Sequence, residues 1–368
     1  MKQKTIILIL VLIAITASIL YLEGLKPVRI APGEAQVKPL NNMKLGKYPV
    51  ANEIVSPSGF INVNNITVGE LIGKKVILID FWTYSCINCL RTLPYLNSWY
   101  EKYKDQGFVI IGVHTPEFQF EQNYDNVLAA VQKYNIKYPV VLDNNYSTWT
   151  AYGNLYWPHD YLIDIDGFIV ADHIGEGDYD VTEKYIQDAL KERNAVLNIN
   201  EQITSEVSKP AEAPNVDLAR VSSPEIYFGA TRNSYLGNGI INSVGIQNLT
   251  EPSDVKKNTL YLSSAWDFHD EYAENIEPGA KIIFRYNAKN VHFVASAKEN
   301  ITIRVFRDGK LPGNESGKDV SRINGSSIVT INEPRLYTLI EDPLGYGEHT
   351  LEIIVEDTGL HAFTFTFG

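Results

Sequence analysis

Cys86 and Cys89 are the only two cysteines among 368 residues, and they sit three positions apart. Such a pair can bind metal, attach haem, form a static bridge or exchange disulfides. Zinc wants four ligands, usually a second cysteine pair or two spaced histidines. No second pair exists, and His114, His159 and His173 stand singly. Haem attachment needs a histidine directly after the second cysteine, and residue 90 is leucine. A static bridge closing so short a loop restrains the unfolded chain little. A redox-active dithiol is the preferred reading. It requires no metal, and no cofactor beyond the Cys86/Cys89 disulfide itself.

The flanking elements suit that chemistry. Residues 76–79 form an apolar run that reads as a buried strand, and residues 90–100 carry apolar side chains at helical spacing. The pair therefore falls where a strand feeds a helix. A helix start offers unpaired N–H groups and a partial positive charge, both of which stabilise a thiolate. Cys86 would attack a client disulfide, and Cys89 would release the mixed disulfide. Asp80 lies on the strand six residues before Cys86. Buried there, its carboxyl would be held above the usual range and could move protons for Cys89. Pro94 would kink the helix one turn after the pair.

The net charge of −12 and the lack of a basic patch argue against a nucleic-acid partner. Residues 5–22 carry no charge and follow Lys2 and Lys4. At 1.5 Å per residue, eighteen residues reach about 27 Å, close to the ~30 Å hydrocarbon core of a membrane. Positive charge stays cytoplasmic, so the remainder would lie outside. A cleaved signal peptide is the rival, but residues 16–18 make a weak cleavage site and the apolar run continues past them. An uncleaved anchor is favoured.

The expected division is an anchor over 1–22, a stalk over 23–52 rich in proline, glycine and asparagine, and an α/β domain over 53–195. A linker over 196–224 and a β-domain over 225–368 follow. The α/β part reads β-α-β-α-β-α-β-β-α, a thioredoxin-like order with an inserted βα unit. A short helix is expected at 67–71, a helix at 121–134, a short helix capped by Ser147, and a hairpin at Asp166-Gly167. From about 225 the apolar period becomes two with frequent turn signals, which indicates a β-sandwich. Exposed aromatics such as Tyr235, Trp266 and Tyr346 could stack on a sugar ring, although an aromatic in a β-protein more often belongs to the core.

The string Phe81-Trp82-Thr83-Tyr84-Ser85-Cys86-Ile87-Asn88-Cys89-Leu90-Arg91-Thr92-Leu93-Pro94-Tyr95 resembles the extracytoplasmic, thioredoxin-like part of the DipZ family of cytochrome c biogenesis proteins. Residues 112–118, Tyr156-Trp157-Pro158 and residues 175–179 agree with it, and the resemblance spans about residues 50 to 368. It implies a cis-proline at Pro158 facing the cysteines, so that Trp82, Trp157 and Pro158 would shape a groove for an extended client chain. It also implies a C-terminal domain like a carbohydrate-binding module, of jelly-roll type, with carbohydrate an open ligand. His114, Glu117 and Glu176 either tune the thiols or are a strand-ending histidine and two solvated acids. Arg91 either favours the thiolate or points to water.

By resemblance, the function is reduction of disulfides in exported proteins at the outer face of the cell membrane, with apocytochrome c among the candidates. DipZ proteins carry their own multi-helix electron carrier. This chain shows a single apolar segment, so a separate membrane electron carrier is expected as a partner. Two other classes remain open: a thiol peroxidase or redox sensor acting through a Cys86 sulfenic acid, and a sugar-binding surface protein on a thioredoxin-like scaffold.

Overall fold

The computed structural model describes residues 35–214 and 216–368. The apolar segment at 5–22 lies outside them. Among the described residues no helix is long and apolar enough to cross a membrane. The chain divides into two compact units. Of the described residues, one unit holds 35–82 with Tyr95–Glu117 and Leu128–Ser208, and the other holds Thr83–Pro94, Phe118–Val127 and the described residues from Lys209 to Gly368.

The α/β region runs β1 (Gly59–Ile61), β2 (Val76–Trp82), α1 (Ile87–Tyr103), β3 (Phe108–His114), α2 (Tyr124–Lys133), β4 (Val140–Leu142), α3 (Ser147–Ala151), β5 (His159–Ile163), β6 (Ile169–Ile174) and α4 (Tyr179–Val196). From β2 onward this is the order expected from sequence. The six strands form one sheet in the order β1-β4-β3-β2-β5-β6. β2, β3 and β4 are parallel, whereas β5 runs antiparallel to β2 and to β6. All seven residues of β2 are buried, as a central strand covered on both faces requires.

The two faces differ in chemistry. Ile77, Ile79 and Phe81 of β2 join Ile111, Val113, Tyr161 and Ile163 in an apolar core. The alternate residues point to the other face. There β2 carries Leu78, Asp80 and Trp82, and β5 carries Asp160 and Leu162. On the helical side, the Tyr95 ring of α1 stacks on the Tyr179 ring of α4 at 3.7 Å between centroids. Glu183 of α4 accepts hydrogen bonds from Lys102 Nζ at 2.8 Å and Tyr103 Oη at 2.7 Å.

Several local expectations changed. Residues 67–71 form a turn and not a helix, closed by Leu71 N–H donating to the Val68 carbonyl. The helix expected at 121–134 is confined to α2, and a 3₁₀ turn, Gln119–Gln122, precedes it. α3 is capped by Asp143, not Ser147: its carboxylate accepts the N–H groups of Thr148 at 3.0 Å and Trp149 at 2.8 Å. The hairpin forms as expected. Asp164 Oδ1 accepts the N–H groups of Asp166 at 3.0 Å and Phe168 at 2.9 Å, and Gly167 takes a left-handed φ of 95°.

The expected stalk and linker are partly packed. From residue 35 the chain runs over the α/β region, with Val37 and Ala51 buried and Leu40 N–H donating to the Asp166 carbonyl. Lys44 Nζ sits among the carboxylates of Asp164, Asp166 and Glu192. After α4, the Glu206 carbonyl accepts Lys102 Nζ at 2.6 Å and Gln187 Nε2 at 2.8 Å. Ser208 Oγ donates to Glu183 Oε1 at 2.9 Å. The described part of the first stretch is held by isolated buried side chains and backbone bridges, and the second by single polar contacts, so neither shows a helix or strand period.

Beyond the linker the second unit is all-β. Among the described residues its 12 strands join in one antiparallel sheet, ten along a continuous path and two pairing beside it, and the strand Leu260–Phe268 contributes pairings on both edges. Buried residues from both ends of that path, such as Val329, Leu351, Phe293 and Tyr337, belong to a single core. Trp266 is part of that core and fully buried, which removes it as a sugar platform. The Tyr346 ring stacks with the Arg220 guanidinium at 4.7 Å, whereas Tyr235 is exposed.

Candidate active site

Cys86 stands immediately before the first residue of α1. Its carbonyl accepts the Leu90 N–H at 3.0 Å, so it occupies the N-cap position. Cys86 is half-exposed and Cys89, one turn into the helix, is buried. One sulfur can thus meet a client while the other is held back from solvent. Pro94 lies inside α1, as expected.

The turn before Cys86 is fixed by a residue that sequence reasoning missed. Glu121, fully buried, accepts Ser85 Oγ at 2.6 Å, Ser85 N–H at 3.2 Å and Phe118 N–H at 3.0 Å. It reads in sequence as the first residue of a solvated helix, and no local signal marks it. Ile87 is buried with Phe118, Val294, Leu336 and Phe363. Arg91 does not point to water: it is buried, and Nη2 donates to the Phe367 carbonyl at 3.2 Å.

Asp80 is fully buried on β2, directly opposite Asp160 on β5. Such cross-strand partners have Cβ atoms about 5 Å apart on one face. Apart from each other, neither Asp80's two carboxylate oxygens nor Asp160 Oδ1 has a hydrogen-bond partner among the described residues. Burial and the neighbouring Asp160 push the Asp80 carboxyl well above its usual range, and burial pushes Asp160 up as well. The two share one site that favours a single negative charge at most. Asp160 was not singled out from sequence, because its importance lies in a strand register that only the fold supplies.

The other expected residues are spread around this core. The Trp157–Pro158 peptide bond is cis. Trp157 is half-buried, its Nε1 donating to the Thr115 carbonyl at 3.0 Å and its ring 4.2 Å from that of Trp149. Pro158 is buried, and its carbonyl accepts the Gly175 N–H at 2.8 Å. Trp82, expected in the groove, is fully buried with its ring edge-on to His114 at 5.1 Å. It packs the sheet and offers no wall to a client. His114 is also fully buried, and burial lowers its pKa to about 3, so it is a neutral ring and not a proton relay near pH 7. Glu117 follows β3 and Glu176 lies in the turn after β6; each is half-buried.

A strand–helix junction bearing a half-exposed and a buried cysteine, in a chain whose six-stranded sheet carries a buried acid, matches thioredoxin-like oxidoreductases. Comparison with known proteins agrees. Residues 58–172 match a model of the AhpC/TSA family, and residues 223–368 match a model described as a thioredoxin like C-terminal domain. Thiol-disulfide oxidoreductase ResA of Bacillus thuringiensis is 30% identical over 132 residues, 33% of this chain and 73% of ResA. The chain belongs to the thioredoxin-like thiol–disulfide oxidoreductase family.

Within that family it is similar to the protein DipZ of Mycobacterium bovis, at 35% identity over 294 residues, covering 80% of this chain and 39% of DipZ. The chain thus spans about two fifths of that relative. Among solved structures, the thioredoxin domain of a thiol-disulfide oxidoreductase from Bacteroides vulgatus is 28% identical, covers 39% of this chain and 99% of that one, and has a TM-score of 0.33.

Proposed function

We propose that this protein is a thiol–disulfide oxidoreductase of the outer membrane face that reduces disulfides in exported proteins. The half-exposed Cys86 at the start of α1, with the buried Cys89 one turn on, is the observation that carries this reading. Cys86 thiolate attacks one sulfur of a client disulfide, forming a mixed disulfide and releasing the other client sulfur as a thiolate. Cys89 then attacks Cys86, forming the Cys86/Cys89 disulfide and expelling the second client sulfur. Enzyme dithiol plus client disulfide becomes enzyme disulfide plus client dithiol, a balanced two-electron exchange. Asp80 takes the proton from Cys89 as its sulfur becomes nucleophilic. Trp157 and Pro158 present the client backbone.

Other parts of the reading rest on sequence. The uncharged residues 5–22 behind Lys2 and Lys4 support an anchor with both folded regions outside. A separate membrane electron carrier re-reduces the disulfide, and apocytochrome c thiols are candidate clients. The all-β region is read as a jelly-roll sandwich resembling a carbohydrate-binding module. Burial of Trp266 leaves Tyr235 as the exposed aromatic there, so scaffolding is favoured over sugar binding.

The match to the AhpC/TSA family supports one rival, a thiol peroxidase. A Cys89→Ser variant tests the choice. It should accumulate mixed disulfides with exported proteins through Cys86, and these should vanish in the Cys86→Ser/Cys89→Ser double variant. Rapid peroxide consumption with a Cys86 sulfenate and no captured client would instead establish the peroxidase.

A further inference from the structure

The Asp80–Asp160 pair does not end at β5. Strand β6 places His173 directly opposite Asp160, so Asp80, Asp160 and His173 form one row across three adjacent strands. The row runs from fully buried Asp80, through buried Asp160, to half-buried His173. His173 Nε2 is enclosed and has no hydrogen-bond partner among the described residues. Beside it lies a cleft of about 230 Å³, lined by Asp160 and His173 from the sheet and by Thr182 and Tyr185 from α4. With about 30 Å³ per water molecule, that volume admits several.

We propose that Asp160 and His173 continue from Asp80 a proton path across β2, β5 and β6 that opens into the cleft beneath α4. The proposal rests on the role given to Asp80 above. As Cys89 closes the disulfide, its proton passes to ionised Asp80. Asp160, which holds the one proton of the pair, gives that proton to His173, which releases it to water in the cleft, and the proton on Asp80 then moves to Asp160. The pair returns to its single negative charge, His173 returns to its neutral state, and one proton has moved from Cys89 to solvent.

The surroundings leave this as the polar way out. On β3 the residue opposite Asp80 is Gly112, and the space over it is taken by Trp82 Nε1 and the Tyr138 ring. His114, two residues along β3, is buried and neutral. Neighbouring His159 points to the opposite face of β5, where it meets Asn154 at 2.5 Å and Asp172 at 3.2 Å. From α1, the Arg91 guanidinium is directed to the Phe367 carbonyl. Besides Asp160 and His173, the titratable groups at the cleft are Asp172 of β6, Asp178 of the turn before α4 and Tyr185 of α4.

The test uses the reduced full chain in dilute buffer with bis(2-hydroxyethyl) disulfide, a neutral probe, followed by acid quench and alkylation. Attack by Cys86 and closure by Cys89 are timed separately across pH. Asp160→Asn and His173→Gln should each slow closure by about tenfold, a fraction of what a general acid–base group can contribute, and leave the attack step unchanged. Added imidazole should restore His173→Gln. Closure at the wild-type rate in both variants, with Asp80→Asn slow, overturns the path and keeps the role of Asp80. Wild-type closure in Asp80→Asn overturns both. A slow Asp160→Asn beside a wild-type-like His173→Gln marks a structural effect and also overturns the path. Because His173 is only half-buried, His173→Gln keeps the test decisive even if Asp160→Asn does not fold.

Discussion

Two groups of buried acids sit at the two ends of β5 and are handled in opposite ways. Beyond its C-terminal end, Asp164 is fully buried but accepts two backbone N–H groups and meets Lys44 Nζ, which Asp166 and Glu192 also hold. Burial works against the Lys44 ammonium, yet the hydrogen bonds to Asp164 and Glu192 outweigh it and raise its pKa; burial still pushes Asp164 up. Near the other end, Asp160 and Asp80 face each other, and among the described residues neither oxygen of Asp80 nor Asp160 Oδ1 meets a cation or a backbone donor. Charge left uncompensated in a protein interior is costly. The first group is what a fold does when it needs only to pin a segment. The second group leaves its acids without such compensation, at the expense of stability.

This contrast can be broken at several points. Replacing Cys86 by serine should reduce disulfide exchange to the uncatalysed level, measured with any disulfide substrate, since the remaining thiol, Cys89, is buried. Asp80→Asn should slow closure of the Cys86/Cys89 disulfide by ~10²-fold while making the protein more stable. The pH dependence of that gain follows from linkage. The Asp80 carboxyl is held well above its usual range in the folded state, so the native protein binds a proton that the unfolded chain has released. Its contribution to stability is therefore complete below the ordinary carboxylate pKa and declines as pH rises toward the folded value. Urea denaturation should show Asp80→Asn ahead of wild type at neutral and alkaline pH, with the lead shrinking on acidification. A lead that grows on acidification would mean the carboxyl is stabilised as an anion.

Lys44→Met should act in the opposite sense at the other end of β5, costing about 2–3 kcal/mol by stranding buried carboxylates and leaving the closure rate untouched. Glu121→Gln is the smallest change. It weakens the acceptor that holds Ser85 and Phe118, and should cost roughly 1–2 kcal/mol, seen as a lower midpoint in the same denaturation experiment.

Much of this was legible in sequence, and the reasons are local. The run at 76–79, the helical spacing after Cys89 and the Asp166-Gly167 turn each declare themselves within a few residues, so strand, helix and hairpin fall where expected. The pairing of Asp80 with Asp160 does not. The two are eighty residues apart, and the strand that carries Asp160 begins at His159, earlier than its apolar run at 161–163 suggests. Glu121 and Lys44 were hidden for a similar reason. A buried acid held by backbone N–H groups looks in sequence like any surface acid, and a lysine drawn onto three carboxylates looks like part of a stalk. Trp82 shows the reverse error: a motif residue beside the cysteines was assigned to the groove, but strand alternation turns it into the packed face with His114.

The most direct measurement of the central claim is stoichiometric. Reduced protein is mixed with one equivalent of a peptide containing a single disulfide, quenched and alkylated, and both species are weighed by mass spectrometry. The account predicts that Cys86 and Cys89 lose their thiols together in one protein molecule, and that two peptide thiols appear for each pair lost. Loss of the Cys86 thiol alone, or both protein thiols left intact beside an unreduced peptide, would contradict it.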